Sequence, residues 1–145
     1  MAVKETDLWV LAARDFSPEV RDLVIQERQQ LEAYIAGHPG FLTSLVPWPA
    51  DPFAPPVVRE MIEAARAAGV GPMAAVAGAL AARVGRQLAS LSPEVIVENG
   101  GDIFLVIQQP ATVALFAGKS ALSHRVGLKL GPSLSPRGAG TCSGT

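Results

Sequence analysis

The sequence predicts an α+β fold in which helices cover one face of a largely antiparallel sheet. Two observations support this class. One short apolar strand is followed by three stretches with helical hydrophobic spacing, and the last third of the chain then holds four further strand-like runs. The order of strand, three helices and meander is typical of a sheet with helices segregated to one face.

Length and composition limit the class of protein. A chain of 145 residues suits a single domain, residues 1–145, with a core of its own. A hydrophobic share of 49% excludes global disorder. A net charge of −1 means that the chain has no excess of positive charge with which to bind nucleic acid. One cysteine excludes an intrachain disulfide. The N-terminus is charged, and no apolar run reaches the roughly 20 residues that span a bilayer, so we expect a soluble, cytoplasmic protein.

The predicted elements are delimited by local signals. The first strand covers 8–13, and the helices run over about 17–37, 56–68 and 72–91. Ser17-Pro18 opens the first helix, because proline is favoured at the first helical position. Five prolines between 47 and 56 exclude a regular element there. The third helix is apolar on every side through its first half, so we expect it to be buried all round.

Four apolar runs predict the strands of the meander, at 94–98, 103–107, 112–117 and 126–130. Asn99-Gly100-Gly101-Asp102 should join the first two as a tight hairpin, because Asn and Gly tolerate positive φ. Residues 131–145 show no periodicity and predict a glycine-rich loop. Since the chain stops inside that loop, we expect a truncated chain, a fragment of a longer domain.

Three short motifs are better explained by local structure than by phosphate binding, catalysis or metal binding. Ala117-Gly118-Lys119-Ser120 lacks the earlier glycine of a P-loop, because that position is Val113. Cys142 has the spacing of a nucleophile elbow, but prolines argue against the strand that must precede it. His38 and His124 have no ligand partners at metal-binding spacing, so no metal site is predicted within these residues.

Two glycine-rich spots are candidates for binding a ligand. The helix start at Gly69–Met73 presents backbone N–H groups that suit an anion, or it is an ordinary turn between helices. The turn at Asn99–Asp102 lets a flat ligand lie against bare backbone, or it is only a hairpin turn. The sequence leaves both alternatives open at both spots.

Five stretches carry a family resemblance. They are FLTSL at 41–45, GPMAAVAGA at 71–79, EVIVENGGDIF at 94–104, AGKS at 117–120 and GTCSGT at 140–145. In this order they resemble an uncharacterised prokaryotic family of the ApbE-like superfamily, whose best-known members are FAD:protein FMN transferases. The resemblance covers nearly the whole chain. It implies a T-fold-related architecture, with helices packed on a twisted antiparallel sheet and a flavin cleft between them.

The resemblance also implies a cofactor site for FAD or FMN. By position, its residues are Gly71, Pro72, Met73, Ala74, Asn99, Gly100, Gly101, Asp102, Thr141, Ser143 and Gly144. The transferases use magnesium to move FMN onto a Ser or Thr of an acceptor protein, and their magnesium ligands lie in a segment that would follow Thr145. This chain departs from the family pattern at Ala77, where the transferases commonly have lysine, and at Gly140 and Cys142.

Three functions are therefore carried forward as alternatives. The first is a flavin-dependent transferase whose magnesium site a later segment would complete. The second is a binding module that holds a flavin or another nucleotide without cleaving it. The third is an inactive truncated domain that exposes a sheet edge and associates with itself. The expected partners are a flavin nucleotide, an acceptor protein and a second copy of the chain, with no nucleic acid and no membrane.

Overall fold

The computed structural model describes residues 1–3, 6–114, 118–121, 123 and 125–140, and it confirms the α+β class with helices on an antiparallel sheet. The helices are α1 (Ser17–Gly37), α2 (Gly40–Thr43), α3 (Pro56–Ala68), a 3₁₀ turn (Pro72–Ala75) and α4 (Val76–Ala89). The strands are β1 (Ala2–Val3), β2 (Thr6–Leu11), β3 (Val95–Asn99), β4 (Asp102–Ile107), β5 (Ala111–Ala114), β6 (Gly127–Leu130) and β7 (Ser133–Gly140).

The main sheet has the order β1-β2-β3-β4-β7, and every neighbouring pair is antiparallel. Strands β5 and β6 form a separate two-stranded ladder. On β3 the alternate residues Val95 and Val97 are buried in the core that α1 and α4 contribute to, and Phe104 of β4 joins them. On β4 the intervening residues Leu105 and Ile107 are buried as well. On β2, Leu8 is buried whereas its neighbour Trp9 is exposed. The sheet is therefore covered by helices on one face, as the period-two pattern requires.

The hairpin between β3 and β4 is confirmed. Asn99 pairs with Asp102, and the two residues between them have positive φ, 58° at Gly100 and 99° at Gly101. Two positive φ values in a two-residue loop are the mark of a type I′ turn, whose twist matches that of the strands. The turn brings the side chains of Asn99 and Asp102 to the same end of the sheet, beneath the start of α4.

A second apolar cluster holds the remaining helices together. Phe41, Val57 and Met61 are fully buried in it, between α1, α2 and α3. The proline-rich segment that follows α2 is tied to α1 by the Tyr34 hydroxyl, which donates to Asp51 Oδ2 at 3.0 Å. The prediction that this segment lacks a long regular element is right, although the four-residue helix α2 just before it was not predicted.

The third predicted helix requires two corrections. Its first turn is 3₁₀ and its α-helical part ends at Ala89, so it is shorter than the predicted 72–91. It is also not buried all round, because Val76, Ala77 and Gly78 are only half-buried. The first turn of α4 lies over the tip of the β3–β4 hairpin, where the neighbouring helices do not enclose it. From Ala79 onwards one face of α4 packs into the core, whereas Arg86 and Gln87 on the other face are exposed.

The predicted loop over residues 131–145 is wrong for its first part. Ser133–Gly140 forms strand β7, which pairs with β4 from Asp102↔Gly140 to Ile107↔Ser133. Pro136 is tolerated because β7 is an edge strand and its register shifts opposite Val106, where a bulge removes the need for a backbone donor. Thr141–Thr145 lie outside the described residues.

The predicted strands at 94–98, 103–107 and 126–130 are confirmed with small shifts, and of the run at 112–117 the structure describes a strand at 111–114. Within the described ranges, no single helix combines the length and hydropathy of a membrane span. Helix α3 and the segment Pro72–Ala89 meet that test only together, as a pair bent by 107°.

Candidate ligand-binding cleft

A cleft of about 540 Å³ opens between α1 and the start of α4, above the ends of β2 and β3. We call it the α1–α4 cleft. Its volume falls within the range of small-molecule sites, which are mostly apolar with a few placed polar groups. Thr6 and Asn99 form its floor, and the exposed Leu42 of α2 lies at one end.

The two walls of the cleft are helical stripes with the same spacing. From α1 the wall residues are Arg28, Leu31, Glu32 and Ile35. From the 3₁₀ turn and α4 they are Met73, Val76, Ala77 and Leu80. In each set the second, third and fourth members follow the first by three, four and seven positions, which places them on one face of a helix. The wall from the 3₁₀ turn and α4 is apolar throughout, whereas the α1 wall combines the apolar Leu31 and Ile35 with two charged residues. The two walls face each other across the opening.

Asn99 fixes the floor of the cleft to the first turn of α4. Its side chain is buried, and its amide nitrogen donates to the backbone carbonyl of Ala77 at 3.0 Å. Asn99 lies at the end of β3, immediately before the glycine turn. A buried carboxamide held by a hydrogen bond has a defined orientation. The methyl group of Ala77 is small, which keeps the cleft open above this contact.

Arg28 supplies a positive charge at the mouth of the cleft. One terminal guanidinium nitrogen donates to the buried hydroxyl oxygen of Thr6 at 2.8 Å. The other terminal nitrogen lies 3.4 Å from a carboxylate oxygen of Glu32, one helical turn further along α1. The Arg28 side chain is 17% exposed and that of Glu32 is 46% exposed. The guanidinium therefore donates to β2 on its buried side and lies near a half-exposed carboxylate of α1.

A second cleft, of about 390 Å³, lies on the other side of the first turn of α4 and holds Asp102. Two glycines leave room for its carboxyl group. A Cβ atom added at Gly78 would lie 3.6 Å from the Asp102 Cγ, and one added at Gly140 would lie 3.1 Å from Oδ1. Burial raises the pKa of Asp102 above its ordinary value. We call this the Asp102 cleft.

The residues predicted from the sequence are only partly brought together. Met73 and Asn99 line the α1–α4 cleft, whereas Asp102 lines the Asp102 cleft. Gly100 and Gly101 form the turn between Asn99 and Asp102. Thr141, Ser143 and Gly144 lie outside the described residues, as do Cys142 and His124.

The helix start contributes less to the cleft than its glycine and proline suggest. Gly71 and Pro72 are buried, and a Cβ atom at Gly71 would come within 1.8 Å of the Ser44 carbonyl oxygen. Gly71 thus lets the chain after α2 pack closely against the start of the 3₁₀ turn. Ala74 is exposed. Of this predicted group, Met73 alone lines the α1–α4 cleft.

Sequence reasoning missed Arg28 and Thr6. The available signal was an arginine at helical spacing with Leu31 and Ile35, but nothing local shows that this face of α1 lies opposite a second helix. Among the residues that the structure describes, no three His, Cys, Asp or Glu side chains gather in a group that suits a metal ion.

Comparison with known proteins gives one family. A family model described as AbpE bacteria matches residues 1–145. A UPF0280 protein of Methanocella arvoryzae is 38% identical over 144 residues, covering 99% of this chain and 58% of that protein. UPF0280 proteins of Methanococcus maripaludis strain C5 and Methanosphaerula palustris are each 40% identical, covering 99% and 98% of this chain and 59% and 60% of their own lengths. The chain spans about three fifths of the length of these curated relatives.

These matches correct the family resemblance drawn from the sequence. The chain matches the AbpE bacteria model and UPF0280 proteins of archaea, which are not the family of the FMN transferases. The finer description of the fold as ApbE-like is not confirmed, and the matches do not show that the chain is truncated. The coarser expectation, an uncharacterised prokaryotic family, agrees with the UPF0280 relatives.

Proposed function

The chain belongs to the family described as AbpE bacteria, and we propose that it binds a flat aromatic small molecule, a flavin first among the candidates, in the α1–α4 cleft. The observation that carries this proposal is the pair of helical stripes that face each other across the cleft, one apolar throughout and the other presenting Leu31 and Ile35. Apolar side chains on both walls suit the two faces of a planar ring system, because such a ring buries most of its surface between them.

The polar residues of the cleft also suit a flavin. An isoalloxazine ring has one polar edge of carbonyl and imino groups and is otherwise apolar. Asn99 and Thr6 at the floor are the residues that would face such an edge, and Met73 and Val76 would lie against the ring. These residues fit the class of ligand through their chemistry and their placement at the floor and along one wall of the same opening.

Catalysis is not part of this proposal. The expectation of magnesium-dependent FMN transfer to an acceptor protein rested on the transferase resemblance, which is wrong. The proposal keeps the binding module that the sequence also suggested, with the ligand placed between α1 and α4. The cytoplasmic location stays a prediction.

The test is a titration of the purified chain with riboflavin, followed by flavin fluorescence anisotropy and calorimetry. Ala77→Phe places a ring inside the cleft from a half-buried position and should weaken binding at least about tenfold, which corresponds to about 1.4 kcal/mol. Ala74→Phe is the matched control, because it makes the same change at an exposed residue that does not line the cleft. This control should bind as the wild type does.

Two results would contradict the proposal. The first is a wild-type chain that binds riboflavin no more tightly than a Kd of about 1 mM, the weak end of measurable affinity. The second is an Ala77→Phe variant that keeps wild-type affinity while remaining folded by circular dichroism, since the ring would then bind elsewhere.

A further inference from the structure

We propose that Asn99 determines which ligands the α1–α4 cleft accepts. Its side-chain oxygen accepts a hydrogen bond from a ring N–H, so the ligand is a flat heterocycle with a lactam or imide edge. This inference rests on the proposed function, because it names the class of ligand for the same cleft. It adds one specific polar contact at the floor to the apolar contacts of the walls.

The orientation of the Asn99 side chain is the first step of the argument. Its amide nitrogen donates to the backbone carbonyl of Ala77 at 3.0 Å. A carbonyl oxygen can only accept a hydrogen bond, so this contact identifies the nitrogen of the carboxamide and leaves Oδ1 as the other branch. The bond ties the side chain to the backbone of α4, and the carboxamide therefore has one defined orientation.

The second step is that Oδ1 lacks a donor from the protein. Asn99 is 7% exposed, and in the part of the chain that the structure describes no N–H or O–H group donates to its Oδ1. Buried polar side chains in proteins nearly always have their hydrogen bonds satisfied. Unlike the fully enclosed Oε2 of Glu27, this oxygen is still reached by solvent. Since Asn99 lines the floor of the cleft, a ligand bound there can supply the donor.

The third step concerns the chemistry of that donor. Oδ1 is a neutral acceptor, so it attracts an N–H or O–H group and disfavours carbonyl and carboxylate oxygens. A protonated amine would bring a full positive charge to the floor, where Asn99 has no opposite charge to offset the lost hydration. A neutral N–H within a flat ring avoids that cost, and the ring can lie against apolar wall residues such as Leu31 and Val76. Lactam and imide groups, including the imide edge of a flavin, meet both requirements.

The test compares riboflavin with 3-methylriboflavin, in which a methyl group replaces the hydrogen of the ring N3. Affinities for the purified chain are measured by flavin fluorescence anisotropy. The wild-type chain should bind riboflavin at least about tenfold more tightly, because a site built around a hydrogen-bonding group rejects an analogue that lacks the matching one. Equal affinities for the two flavins would overturn the inference.

Two variants of the floor separate the hydrogen bond from the bulk of the methyl group. Asn99→Leu keeps the approximate size of the side chain and removes the acceptor, so the preference for riboflavin should fall below about twofold. Thr6→Val is the matched control, because it removes a polar group from the same floor and leaves Oδ1 in place. Its preference should stay at the wild-type value. A full preference in Asn99→Leu would mean that size alone excludes the methyl group, which contradicts the inference.

A measurement on the wild-type chain decides the question if Asn99→Leu does not fold, as judged by circular dichroism. The N3–H proton of ¹⁵N-labelled riboflavin should exchange with water at least about tenfold more slowly in the complex than in free riboflavin, because a hydrogen-bonded proton at the buried floor is protected. Exchange at the rate of free riboflavin would overturn the inference.

The failures of the two proposals are distinguishable. If riboflavin and 3-methylriboflavin bind the wild-type chain equally and Ala77→Phe weakens both, the inference about Asn99 is wrong and the proposed function stands. If riboflavin does not bind, the proposed function is wrong and the inference fails with it.

Discussion

Replacing Arg83 with methionine should destabilise the fold by about 3 kcal/mol, because it leaves a buried carboxylate without its partner. Glu27 on α1 is 2% exposed, and its Oε1 accepts hydrogen bonds from Arg83 Nε at 3.0 Å and Nη2 at 2.7 Å. No described residue donates to the buried Oε2. The two bonds to Arg83 are thus the donors that satisfy this carboxylate in the part of the chain that the structure describes.

The magnitude follows from the burial of the pair. Breaking a buried ion pair costs about 3 to 5 kcal/mol. The Arg83 side chain is 29% exposed, so water can approach the vacated place and the low end of that range applies. Arg83 also lies 3.5 Å from Glu60 of α3, which pairs with Arg86 as well, so Glu60 keeps a cationic neighbour in the variant.

A double-mutant cycle separates this mechanism from simple loss of side-chain packing. Glu27→Met should cost about 1 kcal/mol, since it removes the buried charge and leaves Arg83 paired with Glu60. The double variant Glu27→Met, Arg83→Met should be more stable than Arg83→Met alone by about 2 kcal/mol, because methionine at 27 needs no partner. Arg66→Met makes the same change at an exposed arginine and should alter stability by less than about 0.5 kcal/mol.

The assay is urea unfolding followed by circular dichroism and tryptophan fluorescence, with the midpoint of each variant compared at one common slope. With a slope of about 2 kcal/mol per molar urea, Arg83→Met should shift the midpoint by about 1.5 M. An unfolding free energy of Arg83→Met within about 1 kcal/mol of the wild-type value would contradict this prediction. So would a double variant that is no more stable than Arg83→Met.

Three further predictions follow from particular contacts. Gly85→Ala should lower stability by about 1 to 3 kcal/mol despite alanine's better helix propensity, because the new Cβ would lie 1.9 Å from the Phe104 ring; a raised melting temperature would contradict this. Burial raises the pKa of Asp102, so the folded protein loses stability as the pH rises through that pKa. Asp102→Asn should therefore be more stable than the wild type at about pH 7 and equally stable at about pH 3. Equal stability of the variant and the wild type at both pH values would contradict this prediction. The pKa of Asp51 is lowered mainly by the backbone N–H of Phe53 and, to a smaller extent, by the Tyr34 hydroxyl. Tyr34→Phe should therefore raise the pKa of Asp51 in an NMR titration. An unchanged pKa would mean that the hydroxyl does not bond to Asp51.

Local signals account for what the sequence predicted well. Ser17-Pro18 marks the start of α1, and Gly69 ends α3 with a φ of 72°. The N–H groups of Gly69 and Val70 bond to the carbonyls of Arg66 and Ala65, the pattern of a Schellman motif. The hairpin turn needs two residues that tolerate positive φ, and its glycines supply them. In each case the residues that set the conformation are neighbours in the chain.

Strand β7 shows why the rest was missed. Its sequence is rich in serine, glycine and proline, which are poor strand formers, so no local pattern marks it. It forms because β4 presents a long edge of unpaired backbone groups next to it and because a shift of register accommodates Pro136. Whether a segment can complete a sheet depends on the partner strand, which is distant in sequence. The α1–α4 cleft was missed for the same reason, since each wall is visible in the sequence but their opposition is not.

The small residues of α4 have two different structural roles, and the sequence does not separate them. Gly85 is fully enclosed and leaves the space that the Phe104 ring fills, so its lack of a side chain serves packing. Ala77 and Gly78, two turns earlier, are only half-buried and leave two clefts open on either side of the helix. A larger residue at Gly85 therefore acts on stability, whereas a larger residue at Ala77 acts on what the cleft can hold. We expect substitutions at these two ends of one helix to separate accordingly, with the first changing the unfolding free energy and the second changing ligand affinity.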